Sequence, residues 1–265
     1  MALVPLLAAY DNVILDLDGC VWVGDACTPG APDAVAELRS AGKGLMFLTN
    51  DSRRSPEDYV RKLWSLGVRA SLEEVVTVGA AVQYVLAGSG RETAYVIGSA
   101  ALFRHVSDAG LRIVNGTDGA TTADVVVIAG HDEFDFGELR DATQAVLGGA
   151  EMVAADRDRT FPEEDGMWPG SGAIVAALEY ATERTAQVVG KPQPQIFRTA
   201  LDRLGDGRTL VVGDRLDADL QGAAAAGLDA AIVLTGVASL EDARSASDPA
   251  PVAVADDLRA LVVGR

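Results

Sequence analysis

The sequence predicts an α/β fold built on a parallel, doubly wound sheet. Three observations carry this. Short continuous runs of Val, Ile, Leu and Ala recur through the 265 residues. Helix-like stretches with their own start and stop residues separate them. Several runs end abruptly in Asp, Thr or Asn. Continuous apolar runs suit strands covered on both faces, and regular alternation with helices is the mark of parallel βαβ construction.

Taken in order, strands are predicted at Val13–Leu17, Leu45–Thr49, Val75–Val78, Ala94–Ile97, Val125–Ala129, Met152–Ala155, Leu210–Val212 and Ala231–Leu234. A helix opens at Ser55-Pro56-Glu57-Asp58, with Ser55 as N-cap and Pro56 at its first position, and Gly67 stops it. A second carries Ile196, Phe197, Ala200, Leu201 and Leu204 on one face and closes at Gly205. A third runs from Asp219 through an alanine-rich stretch to Gly227. Gly170-Ser171-Gly172 is read as a tight turn opening a helix that carries Ile174, Val175 and Leu178. The middle of the chain has its own strand–helix series. The expected division is therefore a core of residues 1–79 and 188–265, with a second α/β domain, 80–187, inserted into it.

Composition narrows the function classes. Apolar residues make up 49% and charged residues 23%, an ordinary globular balance. Acidic residues outnumber basic ones 39 to 22, for a net charge of −17. A field of that sign repels nucleic acid and anionic membranes, so neither is expected as a partner. An anionic substrate would need a local positive site. Cys20 and Cys27 form no CxxC pair, and two free thiols in a reducing cytoplasm are expected. The apolar run 2–9 is short and lacks a positive flank, so no signal peptide is expected.

The chemistry lies at strand ends. Val13–Leu17 continues into Asp18-Gly19, with Asp16 at its C-terminal end. Leu45–Leu48 ends in Thr49-Asn50, and Leu210–Gly213 ends in Asp214, with Asp219 five residues on. Parallel strands bring such ends to one edge, where open α/β sheets bind ligands. Asp16, Asp18, Asp214 and Asp219 would repel one another there. A hard cation removes the conflict, and Mg²⁺ suits one or two carboxylates with phosphate and water. Lys191, in Val189-Gly190-Lys191-Pro192, is placed to meet a phosphoryl oxygen and a carboxylate. The Gly-x-x-x-x-Gly-Lys pattern of a P-loop is absent.

Asp16-Leu17-Asp18-Gly19, Thr49-Asn50, Lys191-Pro192 and Gly213-Asp214…Asp219 resemble the four motifs of the haloacid dehalogenase superfamily. Thr49-Asn50-Asp51-Ser52-Arg53-Arg54-Ser55 and the pattern Ala155-Asp156-Arg157-Asp158…Pro162…Gly166…Pro169-Gly170-Ser171-Gly172 are similar to its NagD-like, p-nitrophenylphosphatase-type branch. Within that branch the similarity is greatest to actinobacterial glycerol 3-phosphate phosphatases. The resemblance spans the whole chain. It implies a Rossmann-like core with a cap domain, and a Mg²⁺-dependent phosphatase working through an aspartyl-phosphate. It implies Asp16 as nucleophile and Asp18 as general acid and base. Asp16, the backbone carbonyl of Asp18, and Asp214 would bind Mg²⁺, with Asp219 supporting the metal. Thr49, Asn50 and Lys191 would hold the phosphoryl group, with Thr49 and Lys191 counted among the catalytic residues. Asp51, Arg157 and Asp158 would complete the substrate contacts, and a homodimer through the cap is expected.

Three residues depart from the family pattern. Cys20 stands where Thr or Val is usual; it is small enough to fit and is expected to be a structural swap, with oxidation sensitivity open for a thiol beside the nucleophile. Asp51 and Asp156 each replace an Asn and add negative charge; Arg157 and Arg159 are expected to offset Asp156 and touch the substrate. His131 is read as part of a solvated loop, His105 as a helix-face residue, and Trp22, Trp64 and Trp168 as packing, with Trp168 the one tryptophan worth testing as a ligand platform. The dehalogenase reading is disfavoured by Asp18. A phosphonate hydrolase is disfavoured because residues 80–187 contain no lysine. Glycerol 3-phosphate leads as substrate; phosphoglycolate, a sugar phosphate, pyridoxal phosphate, or a non-catalytic phosphometabolite sensor stay open.

Overall fold

The computed structural model describes residues 3–163 and 166–264. Met1, Ala2, Glu164, Asp165 and Arg265 lie outside the described residues, so the N-terminal run is seen from Leu3 onward; the Pro162 side chain of the second-domain pattern lies outside as well.

The chain divides into two compact units. The first is Met1–Thr49, Pro56–Val76 and Lys191–Arg265, and the second is Asn50–Ser55 and Thr77–Gly190. The second unit extends past the predicted bounds of 80 and 187 and also takes in residues 50–55. The contacts explain both differences. Gln187–Val188 pairs in parallel with the strand Glu151–Ala154, and Val189 and Gly190 continue that ladder by bonding Ala154 O (3.0 Å) and Ala155 O (2.7 Å). The Ser99 hydroxyl donates to Ser52 O at 2.9 Å.

In the first unit a six-stranded sheet runs in the order Ala253–Ala255, Asp229–Val233, Thr209–Gly213, Asn12–Asp16, Gly44–Thr49, Val75–Thr77. Numbered by position within this unit, the order is 6-5-4-1-2-3, the doubly wound arrangement whose ligand crevice lies where the winding reverses. That reversal falls between Asn12–Asp16 and Thr209–Gly213, which pair in parallel with Leu15 beside Val212. Asn12–Asp16 and Thr209–Gly213 are buried at every position, as their unbroken apolar runs predict. Helices Ala31–Ser40, Pro56–Ser65 and Leu258–Val263 turn their apolar faces to a core that includes Val35, Leu38, Phe47, Leu63 and Leu261. Each such buried side chain stabilises the fold by about 1.5–3 kcal/mol. The predicted helix after Asp219 begins instead as a π-type turn, Leu216–Leu220, before Gln221–Ala225. The Asp219 carboxylate takes two backbone N–H groups, Asp214 at 3.2 Å and Arg215 at 3.1 Å, which holds this turn open.

The second unit is a parallel five-stranded sheet in the order Gln187–Val188, Glu151–Ala154, Val125–Ile128, Thr93–Ile97, Arg112–Ile113. Its own core gathers Tyr95, Ile97, Val126, Ile128, Val146, Val175 and Leu178. The helix predicted after Gly170 is Ser171–Thr182. An antiparallel hairpin, Thr160–Glu163 with Gly166–Pro169, precedes it. The continuous-run criterion does not find this hairpin, because its strands are only four residues long and each contains a proline. No helix among the described residues is long and apolar enough to cross a membrane.

Candidate active site

The first unit brings the predicted strand-end residues together. Asp16 ends its strand and is 5% exposed; Asp214 follows Gly213 and is 1% exposed; Asp219 is 1% exposed. One ligand atom from each of the three lies within 4.8 Å of the others. Lys191, itself buried, donates from Nζ to Asp16 Oδ1 at 2.5 Å and to Asp219 Oδ1 at 2.7 Å. Asp18 is exposed, and its Oδ2 accepts from Thr49 Oγ1 at 3.4 Å.

The electrostatics of this group are unbalanced. Three buried carboxylates face one ammonium, which leaves two negative charges uncompensated. Burial pushes the Asp16 carboxyl well above its ordinary range; Lys191 opposes this, while Asp219 and Asp214 add to it. Burial, and then Asp219, push Asp214 up to about 7. Burial alone would lower Lys191, but Asp16 and Asp219 outweigh it and hold the ammonium above the usual lysine range. A divalent cation brings the charge of the group to zero.

The oxygens also fit one. Asp219 is satisfied by the protein, with Oδ1 on Lys191 and Oδ2 on two backbone N–H groups. Asp214 Oδ2 accepts from Val237 N at 2.7 Å, but its buried Oδ1 has no hydrogen-bond partner. An orphaned carboxylate oxygen next to Asp16 is what a hard oxygen-seeking ion requires, and Mg²⁺ takes few protein carboxylates. Asp16 and Asp214 are thus the side chains fit to hold it, with Asp219 behind them. Close-packed glycines make room. A Cβ on Gly19, whose φ is +85°, would stand 2.4 Å from Asp214 Oδ2, and one on Gly236 would stand 1.9 Å from the same atom.

Sequence reasoning missed the supports. The Trp22 indole donates to Asp18 Oδ1 at 2.8 Å. Trp22 is itself stacked on Tyr59 (centroids 6.3 Å apart) with Lys62 Nζ 4.5 Å from the ring centroid. Thr235 Oγ1 donates to Gly19 O at 2.5 Å. Trp22 follows Asp18 at four residues, a spacing that could have suggested the contact; Thr235 and Val237 carry no local signal. Cys20 packs in the core, as expected of a structural swap. Its thiol is fully buried, and burial followed by Asp16 pushes it well above its ordinary value, which suppresses the thiolate that oxidation needs.

The remaining predicted residues belong to the second unit. Asn50 is buried, and its Oδ1 sits so near Gly190 that a Cβ there would come within 2.6 Å. Arg53 meets Asp51 through its backbone N–H (2.8 Å), Nε (3.0 Å) and Nη2 (3.2 Å), so the extra charge at this position is paired within the loop. Arg157 does not offset Asp156; its guanidinium lies on Glu179, with Nη1 3.0 Å from Oε2. Asp158 donates its backbone N–H to Asp156 Oδ1 at 2.9 Å. His131 is part-buried and bonded to Glu138 at 3.0 Å rather than solvated. His105, on the Ala100–Asp108 helix, bonds Gln83 at 2.9 Å. Trp168 is 39% exposed on the hairpin.

A doubly wound sheet whose first strand delivers a buried carboxylate to a lysine and two further carboxylates defines a cation-assisted α/β hydrolase. Residues 13–112 match the haloacid dehalogenase-like hydrolase family, and residues 188–261 match the HAD-hydrolase-like family. D-glycerol 3-phosphate phosphatase of Mycobacterium tuberculosis is 40% identical over 256 residues, covering 95% of this chain and 71% of that protein. Human chronophin is 36% identical, covering 92% of this chain and 88% of its own. The crystal structure of glycerol phosphate phosphatase from Mycobacterium tuberculosis in complex with magnesium superposes with a TM-score of 0.87 at 38% identity, over 96% of this chain and 77% of that one. NagD of E. coli K-12 superposes with a TM-score of 0.83 at 28% identity, over 94% and 96%. The chain belongs to the haloacid dehalogenase-like hydrolase family, in its NagD-like branch, and is a phosphatase.

Proposed function

We propose that this enzyme hydrolyses a small phosphate monoester, with glycerol 3-phosphate the leading substrate, through a phosphoryl group carried on Asp16. The observation that supports the reading most is the Lys191 ammonium bridging buried Asp16 and Asp219 beside the orphaned Asp214 Oδ1. A carboxylate must be ionised to attack phosphorus, and Lys191 favours that state of Asp16 against burial. Asp16 forms a bond to phosphorus as the bond to the leaving alcohol oxygen breaks. Asp18, exposed and oriented by Trp22, gives its proton to that oxygen. Asp18 then takes a proton from water, which attacks the phosphorus; phosphate departs and the Asp16 carboxylate is restored. Lys191, Thr49 and Asn50 hold the phosphoryl oxygens. Asp16, the Asp18 carbonyl and Asp214 would hold Mg²⁺, which would supply charge neutralisation at those oxygens.

The second unit corresponds to the cap in this reading, which assigns Asp51, Arg157 and Asp158 to substrate contact. Asp51 and Asp158, with Arg53 tied to Asp51 and Arg157 tied to Glu179, suit a neutral polyol better than a leaving group bearing a carboxylate. This favours glycerol 3-phosphate or a sugar phosphate over phosphoglycolate. A cytoplasmic location, supported by two free cysteines, and a homodimer using the exposed apolar residues of the second unit, such as Phe136 and Tyr180, belong to the same reading.

Phosphate release from a panel of monoesters, with Mg²⁺ and with EDTA, tests it. Metal-dependent release that is fastest on glycerol 3-phosphate supports both chemistry and substrate. Faster release from another ester moves the specificity alone. Tight binding of esters without release would replace the enzyme by a sensor.

A further inference from the structure

The second unit holds a buried carboxyl that the proposed reaction does not use. Asp156 is 4% exposed and lies just past the strand Glu151–Ala154. Its Oδ1 accepts from Asp158 N at 2.9 Å, and its Oδ2 accepts from the Ser171 hydroxyl at 2.9 Å. Ser171 Oγ in turn accepts from Gly130 N at 2.9 Å, at the end of the strand Val125–Ile128. One side chain therefore ties two strand ends to the first residue of the Ser171–Thr182 helix.

The segment it controls is closely fitted. Gly172 N donates to Asp158 O at 3.0 Å, and Gly170 N donates to Arg159 O at 2.9 Å. A Cβ on Gly170 would stand 2.2 Å from Asp158 O, and one on Gly172 would stand 2.5 Å from Arg157 O. Residues 157–159 thus lie directly on the helix N-terminus, so a change at Asp156 reaches both them and Ser171.

The hydrogen-bond inventory gives Asp156 two states. As a carboxylate it accepts both donors, and every bond is made. With a proton on Oδ2 it must donate to Ser171 Oγ, which can accept a second bond but must then turn its own buried proton away from Asp156. The charged groups that act on it favour the protonated form. Asp158 repels from its own loop and Asp51 from the 50–55 segment. Of the arginines in these loops, Arg53 bonds Asp51 and Arg157 bonds Glu179. Burial, and then Asp158, push the carboxyl up to about 7 against the Asp158 N–H and Ser171 bonds that lower it.

We propose that Asp156 is a positioning residue and a proton switch: by exchanging one of its two accepted hydrogen bonds, the one from Ser171, for a donated one, it sets the conformation of residues 157–159 against the helix and so the affinity for substrate. The functional half rests on the cap reading above; the switch itself does not.

Two measurements on the full-length protein separate them. Asp156→Asn keeps an acceptor for Asp158 N and supplies a permanent donor to Ser171, and so mimics the protonated state without titrating. An acid whose folded value is raised contributes stability that is complete below its unfolded value and is lost as pH rises toward the folded one. The unfolding temperature of Asp156→Asn relative to the wild type is therefore expected to climb from about pH 4 to about pH 7 and to level off above it. A flat difference over that range overturns the switch. Ser171→Ala removes one bond to the carboxylate and is expected to move the plateau to higher pH; no movement also counts against it. In the second measurement the ratio of wild-type to Asp156→Asn KM changes between pH 5.5 and 8.5 by roughly fivefold, a typical small coupling, while the kcat ratio stays level with pH. The substrate's own ionisation cancels in both ratios. A level KM ratio beside a climbing stability difference refutes the link to substrate while keeping the switch. No turnover by either protein refutes the phosphatase reading and leaves the stability test to decide the switch.

Discussion

Replacing Lys191 by methionine separates the lysine's structural role from its catalytic one. The substitution keeps the length of the side chain and removes the charge from between Asp16 and Asp219, both buried and bonded to it at 2.5 and 2.7 Å. Removing one partner of a buried ion pair typically destabilises by about 3–5 kcal/mol, because the other is left buried and unpaired. At about 2–4 °C per kcal/mol for a chain of this size, unfolding in EDTA is expected roughly 10 °C below the wild type. Mg²⁺ compensates the same carboxylates, so adding it recovers part of the loss; a ligand at 100 times its Kd contributes about 2.7 kcal/mol. Activity does not recover. Losing one fixed donor to a developing oxyanion costs about 10²–10³ in rate, and here the donor that keeps Asp16 ionised is lost as well. The assay is thermal unfolding with and without Mg²⁺, beside steady-state phosphate release. An unchanged unfolding temperature in EDTA would show that Asp16 and Asp219 do not need the ammonium. Turnover within about tenfold of wild type would remove Lys191 from the transition state.

Three further outcomes follow from the same geometry. Asp16→Asn removes the attacking oxygen and one of three mutually repelling carboxylates, so phosphate release is abolished while unfolding in EDTA occurs at or above the wild-type temperature; measurable turnover would rule out the phospho-aspartate route. Asp214→Asn exchanges a charge beside the orphaned Oδ1 for an amide, and calorimetric titration should find Mg²⁺ bound at least about tenfold more weakly. Gly172→Ala places a Cβ 2.5 Å from Arg157 O, and denaturant unfolding should register a loss of about 1–3 kcal/mol.

Much of the first unit was legible because its signals are local. Asp16, Thr49 and Asp214 stand out as polar residues ending buried apolar strands, and a parallel sheet converts three strand ends into one edge without knowledge of any loop. Lys191 needed a different kind of evidence. Gly-Lys-Pro is an ordinary turn by itself; its place after a short apolar run suggested a carboxylate partner at the sheet edge, but nothing local singled out Asp16, 175 residues earlier in the chain. The supports were not legible for the same reason. Val237 N–H and Thr235 reach the site from the turn after Asp229–Val233, and nothing in their residue types distinguishes them from other loop positions.

The second unit shows where sequence reasoning fails in principle. Arg157 next to Asp156 invites pairing, yet the two side chains leave the backbone in different directions, and Glu179 on the Ser171–Thr182 helix takes the guanidinium. Asp51 looks like surplus negative charge until Arg53, two residues on, is seen to engage both its oxygens and to donate its backbone N–H as well. Counting charges along the sequence therefore misjudges both loops, in opposite senses: one acid loses its expected cation and the other acquires one. The consequence is that Asp156, which reads as a minor departure from Asn, becomes a buried acid with only hydrogen bonds to hold its charge. Burial pushes a carboxyl in that position up to about 7, whereas the amide it replaces cannot titrate at all. Substrate preference measured at one pH would then describe one of two states of this loop, and comparison with a relative bearing Asn should be made below the transition, where the two share a neutral side chain.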